Sequence, residues 1–145
     1  MLYSLNPQNE SKIAKSIGKD LDISFRKAVE VCNMVQGMKL VKAIEAMEAV
    51  VALQKPVPFK RFTGGTSHHP GAASSKYPKK AATETLKILK NALANAEYKG
   101  LDTDKLNVIH IQANKGPSRR RRKPKGRWKA WKTQYVVIQA IVKEK

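Results

Sequence analysis

The chain has 145 residues, 29 Lys and Arg against 11 Asp and Glu, and a net charge of +18. An apolar share of 41% supports a buried core, and an aromatic share of 6% means that Ala, Val, Ile and Leu must build it. One cysteine, Cys32, excludes an intrachain disulfide framework, no apolar run approaches the roughly 18 residues of a membrane span, and the positive excess far exceeds what solubility requires, which points to a polyanionic partner.

The length suits one domain over residues 1–145. Met1 to Pro7 shows no basic-then-apolar signal pattern, so a reducing, cytoplasmic setting is expected. Residues 1–11 read as an irregular lead-in with a turn at Asn6-Pro7. Asn9-Glu10-Ser11 fits a glycosylation acceptor by pattern alone and is read as chance. Loose alternation of Ile13, Ile17, Leu21 and Ile23 predicts a bulged strand with Gly18 inside it.

Ser24 is a suitable helix N-cap, and Phe25, Ala28, Val29, Cys32 and Val35 recur at helical spacing behind it. Gly37 stops that helix. A second helix is expected over 40–53, with Val41, Ile44, Met47 and Val51 inward and Pro56 and Pro58 beyond its end. Residues 54–77 read as one long loop carrying Lys55, Lys60, Arg61 and Lys76 and no acid. Pro78 opens a third helix reaching Lys99, with Ala82, Leu86, Leu89, Leu93 and Ala96 on one face and Gly100 as its stop.

Two β-like runs follow, 106–113 and 135–142. Both parities of the second are apolar, which marks it as the more central strand. Their antiparallel pairing leaves residues 116–132 as an arm beyond the sheet, with a reach of about 25 Å and a tip made irregular by Pro117 and Pro124. The expected architecture is α+β: three helices packed on a small three-stranded antiparallel sheet with a long protruding β-hairpin.

Function concentrates in that arm. Ten of the eighteen residues 115–132 are basic and none is acidic. The candidates for nucleic-acid contact are Lys115, Arg119, Arg120, Arg121, Arg122, Lys123, Lys125, Arg127, Lys129 and Lys132, with Trp128 and Trp131 as stacking side chains. A solvated charge run is the bland reading of the cations, and core packing is that of the tryptophans. A second group is Lys60, Arg61, Lys76, Lys79 and Lys80, and a third is Arg26 and Lys27; Lys79 and Lys80, like Arg26 and Lys27, fall in the first turn of a predicted helix. The helix dipole disfavours cations there unless an anion such as phosphate joins them; ordinary surface lysine is the alternative.

An enzyme is not expected, nor any metal or cofactor. His68-His69 has no neighbouring carboxylate or cysteine to complete a metal site. His110 reads as a packing or contact residue, and Cys32 as core. No acid lies between Asp104 and Glu144 to serve acid–base chemistry on the arm. Gly64-Gly65-Thr66-Ser67 lacks the Gly-Lys-Ser/Thr ending of a phosphate loop.

Val57-Pro-Phe-Lys-Arg-Phe-Thr-Gly-Gly65, Tyr77-Pro-Lys-Lys-Ala81, Asn95-Ala-Glu-Tyr-Lys-Gly-Leu-Asp102 and His110-Ile-Gln-Ala-Asn-Lys115 occur in that order. With Tyr3-Ser-Leu-Asn-Pro7 and Ser24-Phe-Arg-Lys27, they resemble the L-twenty-two family of large-ribosomal-subunit proteins (L-seventeen in eukaryotes). The long 54–77 connection is similar to the archaeal and eukaryotic branch. Gln134-Tyr135-Val136 departs from the histidine that many members carry there. The resemblance implies a non-enzymatic structural protein of the cytoplasmic large subunit that binds its rRNA, supports assembly and touches neighbouring proteins. It also implies that the hairpin lines the peptide exit tunnel near the nascent chain. The main rival from the residues alone is a general, chromatin-like nucleic-acid binder. A membrane-surface protein and an RNA-processing enzyme are further rivals.

Overall fold

The structure, a computed structural model, describes residues 3–5, 7, 10–122 and 130–145, with the side chain of residue 130 left aside. The expectations placed on Asn6, Asn9, Lys123, Pro124, Lys125, Arg127, Trp128 and Lys129 lie outside the described residues.

After a 3-10 turn at Glu10–Lys12, β1 spans Ile13–Leu21. The helices are α1, Phe25–Val35, α2, Leu40–Val51, and α3, Lys79–Tyr98. Three short strands lie between α2 and α3: β2, Val57–Pro58, β3, Ser67–His69, and β4, Ala72–Lys76. The two long strands close the chain: β5, Leu106–Arg122, and β6, Ala130–Glu144.

The fold is α+β, with two three-stranded antiparallel sheets ordered β1-β6-β5 and β2-β4-β3. The single-sheet expectation therefore needs correction: residues 54–77 are not one irregular loop. Short strands of three residues or so, set among Pro, Gly and Ser, carry too little periodicity to stand out in a sequence. What anchors the second sheet is burial: Val57, Phe59 and Ser75 are enclosed.

β6 is central in the main sheet, and both of its parities from Val136 to Val142 are buried. Val136, Ile138, Ala140 and Val142 belong to the core shared with the helices. On the other parity, Gln139 Oε1 accepts from Ser4 N–H at 3.1 Å, and Ser4 Oγ lies 2.8 Å from His110 Nε2. Ser4 is thus tied to the main sheet through β5 and β6. Full burial of residues such as Ile138, Leu89 and Leu106 contributes about 1.5–3 kcal/mol each.

The helix faces differ in detail from the apolar stripes. α2 buries Leu40, Ala43, Ala46, Met47 and Val50, whereas Val41 is 41% exposed. α2 packs against α3, and its buried face is rotated by about one residue from the one drawn through the largest side chains. Ser24 stands at the N-cap of α1 in extended conformation, but its side chain makes no capping bond. In β5 a bulge between Val108 and His110 turns Ile109 half outward and leaves Val108 buried.

The link at Gly37 returns to the sheet. Gly37 N–H donates to Val108 O, and Val108 N–H to Met38 O, both at 2.9 Å. Its φ of 83° is open to glycine at no steric cost. The β5–β6 ladder runs from Leu106↔Glu144 to Arg122↔Ala130. Pro117 sits where the register shifts between Lys115 and Ser118, a place where a missing N–H interrupts no ladder bond. Pairing continues beyond it, from Ser118↔Gln134 to Arg122↔Ala130, and the tip expected to be irregular lies outside the described residues.

Candidate nucleic-acid interface

Past the register shift, the β5–β6 ladder leaves the core. Pro117, Ser118, Arg119, Arg120, Arg121 and Arg122 are exposed, as are Trp131 and Lys132 on the opposing strand. Neighbouring residues of a strand point to opposite faces, so the four arginines put cations on both sides of the ribbon. Trp131 is half exposed, which removes the core-packing reading for it. At the root of the ribbon the Arg119 guanidinium lies over the Tyr135 ring at 5.4 Å. Lys115 Nζ sits 5.4 Å from the centre of the Phe25 ring, joining the ribbon to α1.

A second group of cations converges on the body. Glu30 of α1 is 1% exposed, and its carboxylate turns toward residues 60–62. Oε2 accepts from Lys60 N–H at 3.1 Å, and Oε1 from Arg61 N–H and Phe62 N–H at 2.8 Å each. A buried carboxylate is tolerable when its lone pairs are met in this way. Lys60 and Arg61 are left exposed, and the guanidiniums of Arg61 and Arg26 lie 5.5 and 5.8 Å from the centre of the Phe62 ring. Arg26 and Arg61, separate in sequence, therefore share one aromatic platform.

The third group lies where two helices begin. Ser24 and Lys27 from α1, and Pro78, Lys79 and Lys80 from α3, line a depression of about 530 Å³ together with Asp22. Neither helix start has a side-chain cap or an acid in its first turn. The positive ends of two helix dipoles thus lie beside a basic hollow. Asp22 Oδ2 accepts from Lys80 Nζ at 2.9 Å. That bond, aided by the Lys80 charge and, more weakly, by Arg121, holds the Asp22 carboxyl below its ordinary pKa.

The remaining candidates fall out of the chemistry. Cys32 is buried and its thiol is pushed up to about 12 by desolvation, so it is no nucleophile. His68 and His69 lie on β3, where His69 makes an edge contact with Tyr77. Among the described residues no cluster of His, Cys, Asp and Glu is set to hold a metal, and no helix is long and apolar enough to cross a membrane. The sequence reading missed Glu30, Phe62 and Asp22. Glu30 alone carried a signal: an acid flanked by valines on a helix whose neighbouring positions, Ala28, Val31 and Cys32, are core.

The sequence model of the family described as ribosomal protein L22p/L17e matches residues 16–143. The chain is similar to the large ribosomal subunit protein uL22 of Methanocaldococcus jannaschii, 42% identical over 141 residues, 94% of this chain and 90% of the relative. It is 43% identical to that of Archaeoglobus fulgidus over 117 residues, covering 79% of this chain and 76% of the relative. For that of Ignicoccus hospitalis the identity is 40% over 124 residues, with 81% and 78% covered. A match of this extent, across both the helical body and the two long strands, shows that the chain belongs to the ribosomal protein L22p/L17e family.

Proposed function

We propose that this chain is a structural constituent of the large ribosomal subunit that binds its rRNA and supports assembly in the cytoplasm. The family is one of structural ribosomal proteins, not enzymes. Residues 1–145 act as one domain. The stretch 116–132 is its basic hairpin extension, which threads between RNA segments, lines the exit tunnel and passes near the nascent peptide and neighbouring proteins. Arg26, Lys27, Lys60, Arg61, Lys79 and Lys80 contact RNA from the body. Lys115, Arg119, Arg120, Arg121, Arg122, Lys123, Lys125, Arg127, Lys129 and Lys132 neutralise phosphates along the arm, and Trp128 and Trp131 stack.

One observation carries this reading. The β5–β6 ladder continues beyond the core with cations on both faces and exposed side chains from residue 117 to residue 122. A two-stranded ribbon of this kind has no hydrophobic face to bury and repels itself, so it is stabilised by a surrounding polyanion. Folded RNA, recognised through shape and phosphate, meets that need on both sides at once.

The test replaces residues 118–131 by an Asn-Gly turn. The shortened protein is expected to fold but to co-sediment poorly with large subunits in a sucrose gradient. Wild-type affinity for rRNA should fall with salt at a log–log slope of about −0.9 per duplex phosphate contact. Equal affinity for random duplex DNA at raised salt would instead favour a general nucleic-acid binder.

A further inference from the structure

Three successive amides, from Lys60, Arg61 and Phe62, converge on one carboxylate. A run of backbone N–H groups turned to one side is an anion-binding concavity. In this protein the anion is internal: Glu30, buried on α1. Filling the concavity from inside leaves Lys60 and Arg61 exposed and places Arg61 on the Phe62 ring, which Arg26 also meets. Two guanidiniums held on one ring concentrate positive charge there, and a negative group that meets them is attracted to both.

We propose that Glu30 is a positioning residue for RNA: it presets Arg61 on Phe62, the ring that Arg26 also meets, for the phosphodiester backbone. The inference deepens the rRNA-binding reading and rests on it. Glu30 is an acid close to a surface that binds a polyanion, so by charge alone its removal should tighten binding. By positioning, its removal should weaken binding, because the loop loses its anchor and Arg61 must be ordered when RNA arrives.

The experiment uses the full chain and full-length large-subunit rRNA transcribed in vitro, titrated at several salt concentrations well below each variant's melting temperature. Glu30→Gln retains the shape but offers an amide N–H₂ to the Lys60 N–H. Arg61→Ala is expected to weaken binding about tenfold and to lower the salt slope by about 0.9. Glu30→Gln is expected to do the same, and the double variant should bind no worse than Arg61→Ala alone. Glu30→Gln combined with Arg120→Ala on the arm should show the two losses added. Tighter or unchanged binding by folded Glu30→Gln overturns the proposal, as does full additivity with Arg61→Ala. Should Arg61→Ala itself leave binding unchanged, the RNA contact of this loop is wrong and the positioning role goes with it, while the reading of the arm stands on Arg120→Ala. Where Glu30→Gln does not fold, Phe62→Leu takes its place: it removes the aromatic seat, and an effect additive with Arg61→Ala refutes the preset pair.

Discussion

Gln134 Nε2 donates to the carbonyl oxygen of Gly116 at 2.5 Å and lies 3.2 Å from Tyr135 O. The bond spans the point where the β5–β6 register shifts between Lys115 and Ser118. A bulge leaves backbone groups unpaired, and here a side-chain amide takes up the carbonyl that the ladder drops. The basic ribbon therefore leaves the core from a pinned root. Gln134→Ala is expected to lower stability by about 1 kcal/mol and to speed amide exchange from Ser118 to Arg122. Urea melts and native-state exchange measure both; unchanged exchange in that stretch shows that the root is held by other contacts.

Opposite outcomes are expected from two substitutions on β1. A Cβ built on Gly18 would lie 2.6 Å from Ile88 Cδ1 and 3.1 Å from its Cγ1. Ile88 is itself buried, so it has little room to turn away. Gly18→Ala should cost about 1–3 kcal/mol through overpacking of α3 on the sheet. Two residues earlier, Ser16 is 3% exposed and its Oγ has no partner among the described residues. Ser16→Ala should be neutral or stabilising by up to about 1 kcal/mol, since it removes a buried hydroxyl without breaking a bond. Thermal melts of the two variants, read side by side, check both signs, and a destabilised Ser16→Ala protein would reveal an unseen partner for the hydroxyl.

Burial of Cys32 makes stability fall in alkali. Its thiol ordinarily ionises at 9.0 and is held up to about 12 in the folded chain. The folded-state value is raised, so the unfolded chain releases its proton first. The contribution is fully present below pH 9 and is lost as pH rises from 9 toward 12. Cys32→Ala should flatten the stability profile in that window relative to wild type. Ellman's reagent at pH 8 should react with the denatured chain at once and with the native chain only as fast as it opens. Rapid reaction of the native protein would show the thiol to be accessible.

Periodicity made much of the framework legible before any coordinates. The stripe through Ala82, Leu89 and Ala96 belongs to a real helix face, because three- and four-residue spacing leaves a regular helix little choice about which side it buries. β6 could be placed at the centre of its sheet from its doubly apolar run alone. The short strands of the second sheet were not legible, because they are ordered by burial of Val57, Phe59 and Ser75 and not by any alternation of their own. The inward face of α2 differs from its apolar stripe for a similar reason: which side is buried depends on the elements packed around the helix, not on its own largest side chains.

The sequence by itself determined that the chain is an α+β body with an excess of cations gathered between two strand-forming runs, since charge and hydrophobic period are local properties written residue by residue. Only the tertiary structure decided that Arg26 and Arg61 share one phenyl ring, that two uncapped helix starts open into one hollow, and that an acid inside the body holds a basic loop facing out. Those arrangements join residues distant along the chain. They depend on how elements pack against one another, and packing is settled by the whole core at once.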